Sequence, residues 1–207
     1  MASRFAFYVR NQAVRKSEFE FDWAPGLSAA QKKKSMRNLH AAIGAKTLEV
    51  STKGDEELGV RLSAFNLTLG GIHVENIYQS SKVFEHGGPY TDLLAVSPKE
   101  AKRDERLRNS GDLVCFEWNG ERFDRATGSA FYDYVYCRAV RENFTAEELK
   151  PMLDYAYFTD IEFNPNKARN TQARSAAIVK LFLELYGEIP ELNAEEFRLF
   201  HARFVKG

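Results

Sequence analysis

Helix-start signatures recur along this chain and fix more of its fold than any other pattern in it. Ser28 with Gln31, Ser97 with Glu100, Thr145 with Glu148 and Asn193 with Glu196 each place a capping side chain three residues before a carboxylate or carboxamide. At that spacing the first side chain accepts from the N3 amide while the second reaches back to the N-cap amide. Pro98 reinforces the Ser97 start, because the first helical position has no need of an N–H. Gly44, Gly111 and Gly187 follow the periodic segments as stops, where glycine accepts the left-handed cap. The chain therefore reads as helices over residues 28–43, 97–109, 129–143 and 171–186. A short helix after Thr145 is limited by Pro151, and a last one from Asn193 lays Phe197, Phe200 and Phe204 against the body.

Between the helices the period changes to two. Phe5, Phe7 and Val9 alternate with Ala6 and Tyr8, and Phe19, Phe21 and Trp23 alternate with Glu20 and Asp22. These are strands, expected to pair across the polar connection 11–16 and to stop at Pro25-Gly26. Residues 48–51 and 60–65 read as further strands around the turn 52–55, and Gly70-Gly71 reads as a plain turn. Asn119-Gly120 joins 113–118 to 121–123 as a type I′ hairpin, and 159–163 is extended with Asp160 and Glu162 on one face. The fold class is α+β: one helix-dominated domain over residues 1–207, with short antiparallel strands at its side.

The stretch Val74-Glu75-Asn76-Ile77-Tyr78-Gln79-Ser80-Ser81-Lys82 is where chemistry enters. Read as one helix ended by Gly87-Gly88-Pro89, it turns Val74, Ile77 and Tyr78 to the core and sets Glu75, Gln79 and Lys82 along an adjacent stripe. An acid, an amide and an amine in file suit a small-molecule site, although on spacing alone a solvated face is the more ordinary reading. His86 reads as a cap on that helix's last carbonyls. Lys102, Arg103 and Arg106 near one helix start, and Arg169 and Arg174 near another, are candidate anion-binding groups. Their alternative is ordinary pairing with neighbours such as Asp104 and Glu105. Lys32-Lys33-Lys34 is either a solvated face or an edge that touches phosphates.

Composition narrows the classes. Aromatics at 13% and hydrophobics at 44% exclude a disordered chain. Lys+Arg and Asp+Glu are equal at 29 each, so no overall field holds DNA by counterion release and any nucleic-acid contact is local. Cys115 and Cys137 lack CxxC spacing, and His40, His73, His86 and His201 lack ligand spacing, so neither metal nor cofactor is expected. The alternating N-terminus is no signal peptide, and no apolar run approaches the roughly 18 residues of a membrane span. A soluble cytoplasmic protein is expected.

VENIYQSSK resembles the VEHYFQAQK segment of the NADAR (YbiA-like) superfamily, with Glu75, Gln79 and Lys82 in register. Leu62-Ser63-Ala64-Phe65-Asn66 is similar to the family's LSNF-like entry, with Ala64 departing from it, and residues 97–103 resemble its P-x-E-A-K-R helix start. FDWAPGLSAAQKKKS, SSKVFEHGGPYTDLL and TDIEFNPNKARNTQARSAA are similar to the branch encoded beside DarT-type toxins, which ADP-ribosylate guanine in DNA. The family's D-x-x-W-G segment is missing, and residues 166–170 stand in its place.

The resemblance implies a hydrolase that removes ADP-ribose from guanine bases of DNA and so acts as an antitoxin. Its partners would be ADP-ribosylated DNA or an ADP-ribosyl nucleotide, and a cognate DarT-type toxin. Lys82, Glu75, Asp160 and Glu162 are the expected catalytic residues: Lys82 is expected either to form a Schiff base with C1 of the distal ribose while Glu75 and Asp160 or Glu162 shuttle protons, or to act as an electrostatic clamp on a ribose hydroxyl. Gln79, Asn66, Lys102, Arg103, Arg106, Asn170 and Arg174 are expected to bind substrate. Trp118 or Tyr90 is expected to stack on the guanine. Two other readings remain: an enzyme acting on a small N-glycoside such as a riboflavin-pathway intermediate, and a non-catalytic binder of ADP-ribose or of the toxin.

Overall fold

The first two strands form the longest hairpin of the molecule. In the computed structural model, which describes residues 1–26, 28–163 and 171–206, β1 (Ala2–Arg10) and β2 (Ala13–Phe21) pair antiparallel along their full length. The connection is shorter than the composition suggested. Asn11 and Gln12 alone make the turn, with φ of 53° and 54°, the left-handed pair that matches hairpin twist. Helix α1 (Ala29–Ile43) starts where Ser28 accepts from the Gln31 amide and stops at the left-handed Gly44.

A mixed sheet forms around that hairpin. Strand β3 (Thr47–Glu49) lies parallel to β9 (Tyr157–Thr159), and β9 meets β1 antiparallel, giving the order β2-β1-β9-β3. The expected strand over 60–65 is not there: Glu57–Arg61 is the short helix α2, and 62–64 follow it buried. The close approach explains why. A Cβ on Gly59 would sit 2.1 Å from the Glu49 carbonyl oxygen, so only glycine lets this turn of helix lie on β3.

Two smaller sheets follow. β4 (Thr68–Leu69) and β5 (Ile72–His73) form a hairpin closed by Gly70 and Gly71 at φ 59° and 77°, the plain turn expected. Helix α3 (Val74–Ser80) then starts directly and ends sooner than the sequence suggested. Lys82 opens strand β6 (Lys82–Phe84), which pairs with β7 (Leu113–Trp118), itself joined to β8 (Glu121–Asp124) through Asn119 and Gly120. Gly87-Gly88-Pro89 therefore ends no helix, and His86 caps none; its backbone amide donates to the Ser110 carbonyl just before β7.

Ser97 and Glu100 form the expected capping box, but the helix breaks at Asp104, giving α4 (Pro98–Arg103) and α5 (Arg106–Asn109). The Asp104 carboxylate accepts from the Arg106 amide and side chain, a local competitor to the helix ladder. Helices α6 (Gly128–Asn143), α7 (Ala146–Leu149), α8 (Gln172–Tyr186) and α9 (Ala194–Phe204) complete the fold. The helix at the centre is α8 rather than α3: it is buried continuously from Gln172 to Leu183, and α6 packs along it with Phe131, Tyr134, Val135 and Ala139 turned inward. Buried through most of its length, with Gln172, Arg174, Ser175 and Lys180 as its buried polar members, α8 is a core helix, and Phe182 stacks on Phe200 of α9 at 4.4 Å. No helix among the described residues is long and apolar enough to cross a membrane.

Candidate active site

The ends of these elements meet around one cavity of about 920 Å³. Helix α3 contributes Glu75 and Gln79, both only 5% exposed. Lys82 arrives from the first position of β6, not from the helix, yet it completes the same row. Its Nζ donates to Gln79 Oε1 at 2.6 Å, and Gln79 Nε2 donates to Glu75 Oε1 at 2.8 Å. The amide orientation is dictated by its neighbours, because an ammonium only donates and an ionised carboxylate only accepts. Gln79 thus couples amine to acid.

Glu75 sits in the first turn of α3, where the helix dipole favours a carboxylate, and Lys102 Nζ stands 3.8 Å from it. Asn76, its neighbour, donates to the Leu93 and Val96 carbonyls at 2.7 and 2.8 Å. That pair fixes the segment leading into α4 and so the approach of Lys102. Burial lowers the Lys82 amine to about 8, against the stabilising charge of Glu75 and with the help of the Lys102 charge. At neutral pH roughly one amine in ten is then unprotonated, where an ordinary lysine has fewer than one in a thousand.

The turn after β9 lines the same cavity. Asp160 is buried, accepts from the Glu162 amide at 3.1 Å and from Thr171 Oγ1 at 3.4 Å, and is pushed up to about 8, chiefly by burial and then by the charge of Glu49. It therefore carries a proton at neutral pH. Glu162 also lines the cavity and is ion-paired with Lys32 of α1, so one member of the lysine run has a partner in the site. Asp160 and Glu162 share the cavity wall, as their alternation suggested, although the strand itself ends at Thr159.

The aromatic wall is not the one expected. Tyr78 stacks on Phe116 at 5.3 Å, Tyr132 meets Tyr78 edge-on at 5.2 Å, and Lys82 lies 4.6 Å over the Tyr78 ring. These rings, with Phe65 and Phe163, line the cavity. Trp118 instead stands against Arg138 at 5.8 Å, and Tyr90 lies under Arg106 at 4.5 Å; neither reaches the cavity. The hairpin reading of 113–118 did not single out Phe116, whose place in the cavity wall depends on the pairing of β7 with β6.

Several expected binding residues are placed elsewhere. Asn66 is exposed and donates to the Val60 carbonyl at 2.8 Å, while Ala64 and Phe65 of the same segment line the cavity. Arg106 is held by Asp92 and Asp104 at 2.6 and 2.9 Å, and Arg103 borders a separate cavity with Ser97 and Lys99. Arg174 points inward to Asp133 at 2.9 Å, an ion pair that His201 joins from α9, so it ties α8 to α6 and α9. Asn170, Arg169 and the 166–170 replacement lie outside the described residues. Lys102 lines the cavity as expected, and so do Arg108 and Arg125, which come from α5 and from the turn before α6 and which spacing did not single out.

Among the described residues no group of three or more His, Cys, Asp or Glu side chains is arranged to hold a metal ion. Cys115 and Cys137 are buried and free. What the arrangement offers is a poised amine, a protonated buried carboxyl, further carboxylates and stacked rings in a volume of nucleotide size.

Fold and site together define an α+β protein with a buried amine and carboxyl groups converging in one deep cleft. The chain belongs to the DarT1-associated NADAR antitoxin family, whose model, NADAR-DarT1, matches residues 2–202. No curated protein matches it at a significant level.

Proposed function

We propose that this protein removes ADP-ribose from guanine bases of DNA and so reverses the action of a DarT-type toxin. The observation that carries the reading is the relay from Lys82 through Gln79 to Glu75, opening onto a cavity that Asp160, raised to about 8, also lines. Family membership supports the antitoxin role.

The chemistry follows from these groups. The neutral Lys82 amine attacks C1 of the ribose, the C1–N bond breaks, and its electron pair leaves with the guanine, which takes the Asp160 proton. The bond from C1 to the ring oxygen then opens, that oxygen gains a proton, and the lysine nitrogen loses one through Glu75, leaving an imine. Water adds to C1 with Glu75 as base, the amine departs, and ADP-ribose is released. One water is consumed in all. Positive charge that builds on the sugar lies near Glu75 and Glu162, which favour it. Tyr78 and Phe116 offer faces for the base, and Lys102, Arg108 and Arg125 offer positive charge for the pyrophosphate.

The test is to incubate the protein with an oligonucleotide ADP-ribosylated on guanine and follow both products by mass. Return of the unmodified oligonucleotide with free ADP-ribose is expected. Binding without any change in mass would leave a non-catalytic antitoxin, and action on the free ADP-ribosyl nucleoside alone would make the substrate small.

A further inference from the structure

Glu49 is a carboxylate that the chemistry above does not use. It is 3% exposed on β3, does not reach the cavity, and makes no ion pair among the described residues. What it does is hold both neighbours of Asp160. Its Oε2 accepts from Thr159 Oγ1 at 2.8 Å and its Oε1 from the Ile161 amide at 2.8 Å, while Ser51 Oγ donates to the same Oε1 at 2.6 Å. The parallel β3–β9 pairing brings the clamp into register, with Glu49 beside Thr159. From the far side His40 Nε2 meets Thr159 Oγ1 at 2.8 Å.

We propose that Glu49 is the positioning residue for Asp160: by clamping residues 159 and 161 it aims the Asp160 carboxyl into the cavity, next to a second buried carboxyl. The inference rests on Asp160 being the acid of the proposed reaction. Two buried carboxyls, one bonded to both chain neighbours of the other, do not both ionise readily, since each charge opposes the other and burial opposes both. The directions agree, because burial raises Glu49, and Asp160 is raised by burial and then by Glu49.

The other charges around the pair do not cancel this. Glu162 adds further negative charge toward both carboxyls. Among the described residues Arg4 on β1 is a cation whose charge is felt at Asp160, and burial of both groups still leaves the Asp160 carboxyl raised. His40 on α1 is lowered to about 4 by burial and is neutral in the working range. Tyr132 and Tyr136 on α6, both near Asp160, are raised well above their ordinary value and stay protonated. Glu49 and Asp160 thus titrate as a pair, and of the two only Asp160 lines the cavity.

The experiment reads the carboxyl directly and the reaction separately. In protein labelled at the aspartate and glutamate carboxyl carbons, NMR titration is expected to show the wild-type Asp160 signal moving near pH 8. Glu49→Gln, which keeps the size and loses the charge, moves that midpoint to lower pH. In the activity profile the same substitution leaves kcat/KM within about twofold near pH 6 and lowers it about tenfold near pH 9. If Glu49→Gln does not fold, wild type alone decides: the Asp160 and Glu49 carbons must each move at both midpoints. An Asp160 carbon that titrates once, near the ordinary aspartate value, or one unmoved by Glu49→Gln, overturns the proposal even if the protein is active. Absence of activity on every ADP-ribosyl substrate would overturn the function while the titration still decided the pairing.

Discussion

Lys82 Nζ lies 2.6 Å from Gln79 Oε1 although the helix carrying Gln79 has ended and Lys82 belongs to a strand. The change of element is what aims the amine. On a continued helix Lys82 would project from the side of α3, whereas the first position of β6 sends it across the Tyr78 ring into the cavity. The contact also makes Gln79 more than a filler. Gln79→Leu removes both ends of the relay, and losing a hydrogen bond to a charged group costs about 1.5–3 kcal/mol, roughly 10- to 150-fold in kcat. Single-turnover rates with saturating substrate check this, and a Gln79→Leu variant with wild-type kcat would remove the relay from the account.

The pH profile follows from two groups perturbed in opposite senses. The reaction needs Lys82 neutral and Asp160 protonated, so the rate rises with pH toward about 8 as the amine loses its proton and falls above about 8 as the carboxyl ionises. The expected curve is a narrow bell centred near that value. Because the Lys102 charge helps depress Lys82, Lys102→Met shifts the acid limb to higher pH while leaving the alkaline limb in place. A profile that stays flat from pH about 6 to about 9 would contradict both assignments.

The same amine destabilises the fold. Its folded value lies near 8, below the ordinary 10.5, so below about 8 the native state holds a charge that burial disfavours, and this cost disappears as pH rises from about 8 to 10.5. Lys82→Met is therefore expected to melt a few degrees higher at neutral pH while being inactive, with the gain shrinking toward pH 10.5. Asp160 has the reverse sign. Its raised value means that its stabilising contribution is present at low pH and is lost as pH rises from about 4 to about 8. Asp160→Asn should therefore gain stability over wild type across that interval, which thermal melts at a series of pH values would reveal.

Much of the fold was written in short-range signals. The caps at Ser28, Ser97, Thr145 and Asn193 start helices where their side-chain bonds require, because a capping bond spans only three residues. The Asn119-Gly120 hairpin is local in the same way. Signals that depend on a distant partner misled. Ser80 and Ser81 do not break a helical pattern, so nothing short of the β7 pairing reveals that Lys82 begins a strand. Val60 alternates like a strand residue, and only the contact of Gly59 with β3 makes that stretch helical. At the site, Glu75, Gln79 and Lys82 were legible through family resemblance. Tyr78 and Phe116 as a cavity wall, Arg108 and Arg125 at its rim, and Glu49 behind Asp160 depend on segments far apart in the chain.

Arg174 illustrates how the same residue type serves the fold instead. Read near a helix start, it looked suited to an anion; in place it is 6% exposed and bonded to the fully buried Asp133, which also accepts from Ser175 Oγ at 2.5 Å. Asp133→Ala removes the carboxylate facing a buried guanidinium and is expected to cost about 3–5 kcal/mol, measurable by urea denaturation. Arg174→Gln should likewise lower stability rather than raise KM. A selective rise in KM with unchanged stability would return Arg174 to the site.

The central claim is that Lys82 makes a covalent bond to the sugar. Borohydride added during turnover of a guanine-ADP-ribosylated oligonucleotide is expected to fix the imine, giving protein heavier by one reduced ADP-ribosyl group. Peptide mapping should place that group on Lys82, and Lys82→Ala should neither trap nor turn over. Continued turnover with no trapped protein, together with a Lys82→Ala variant at the wild-type rate, would contradict the account.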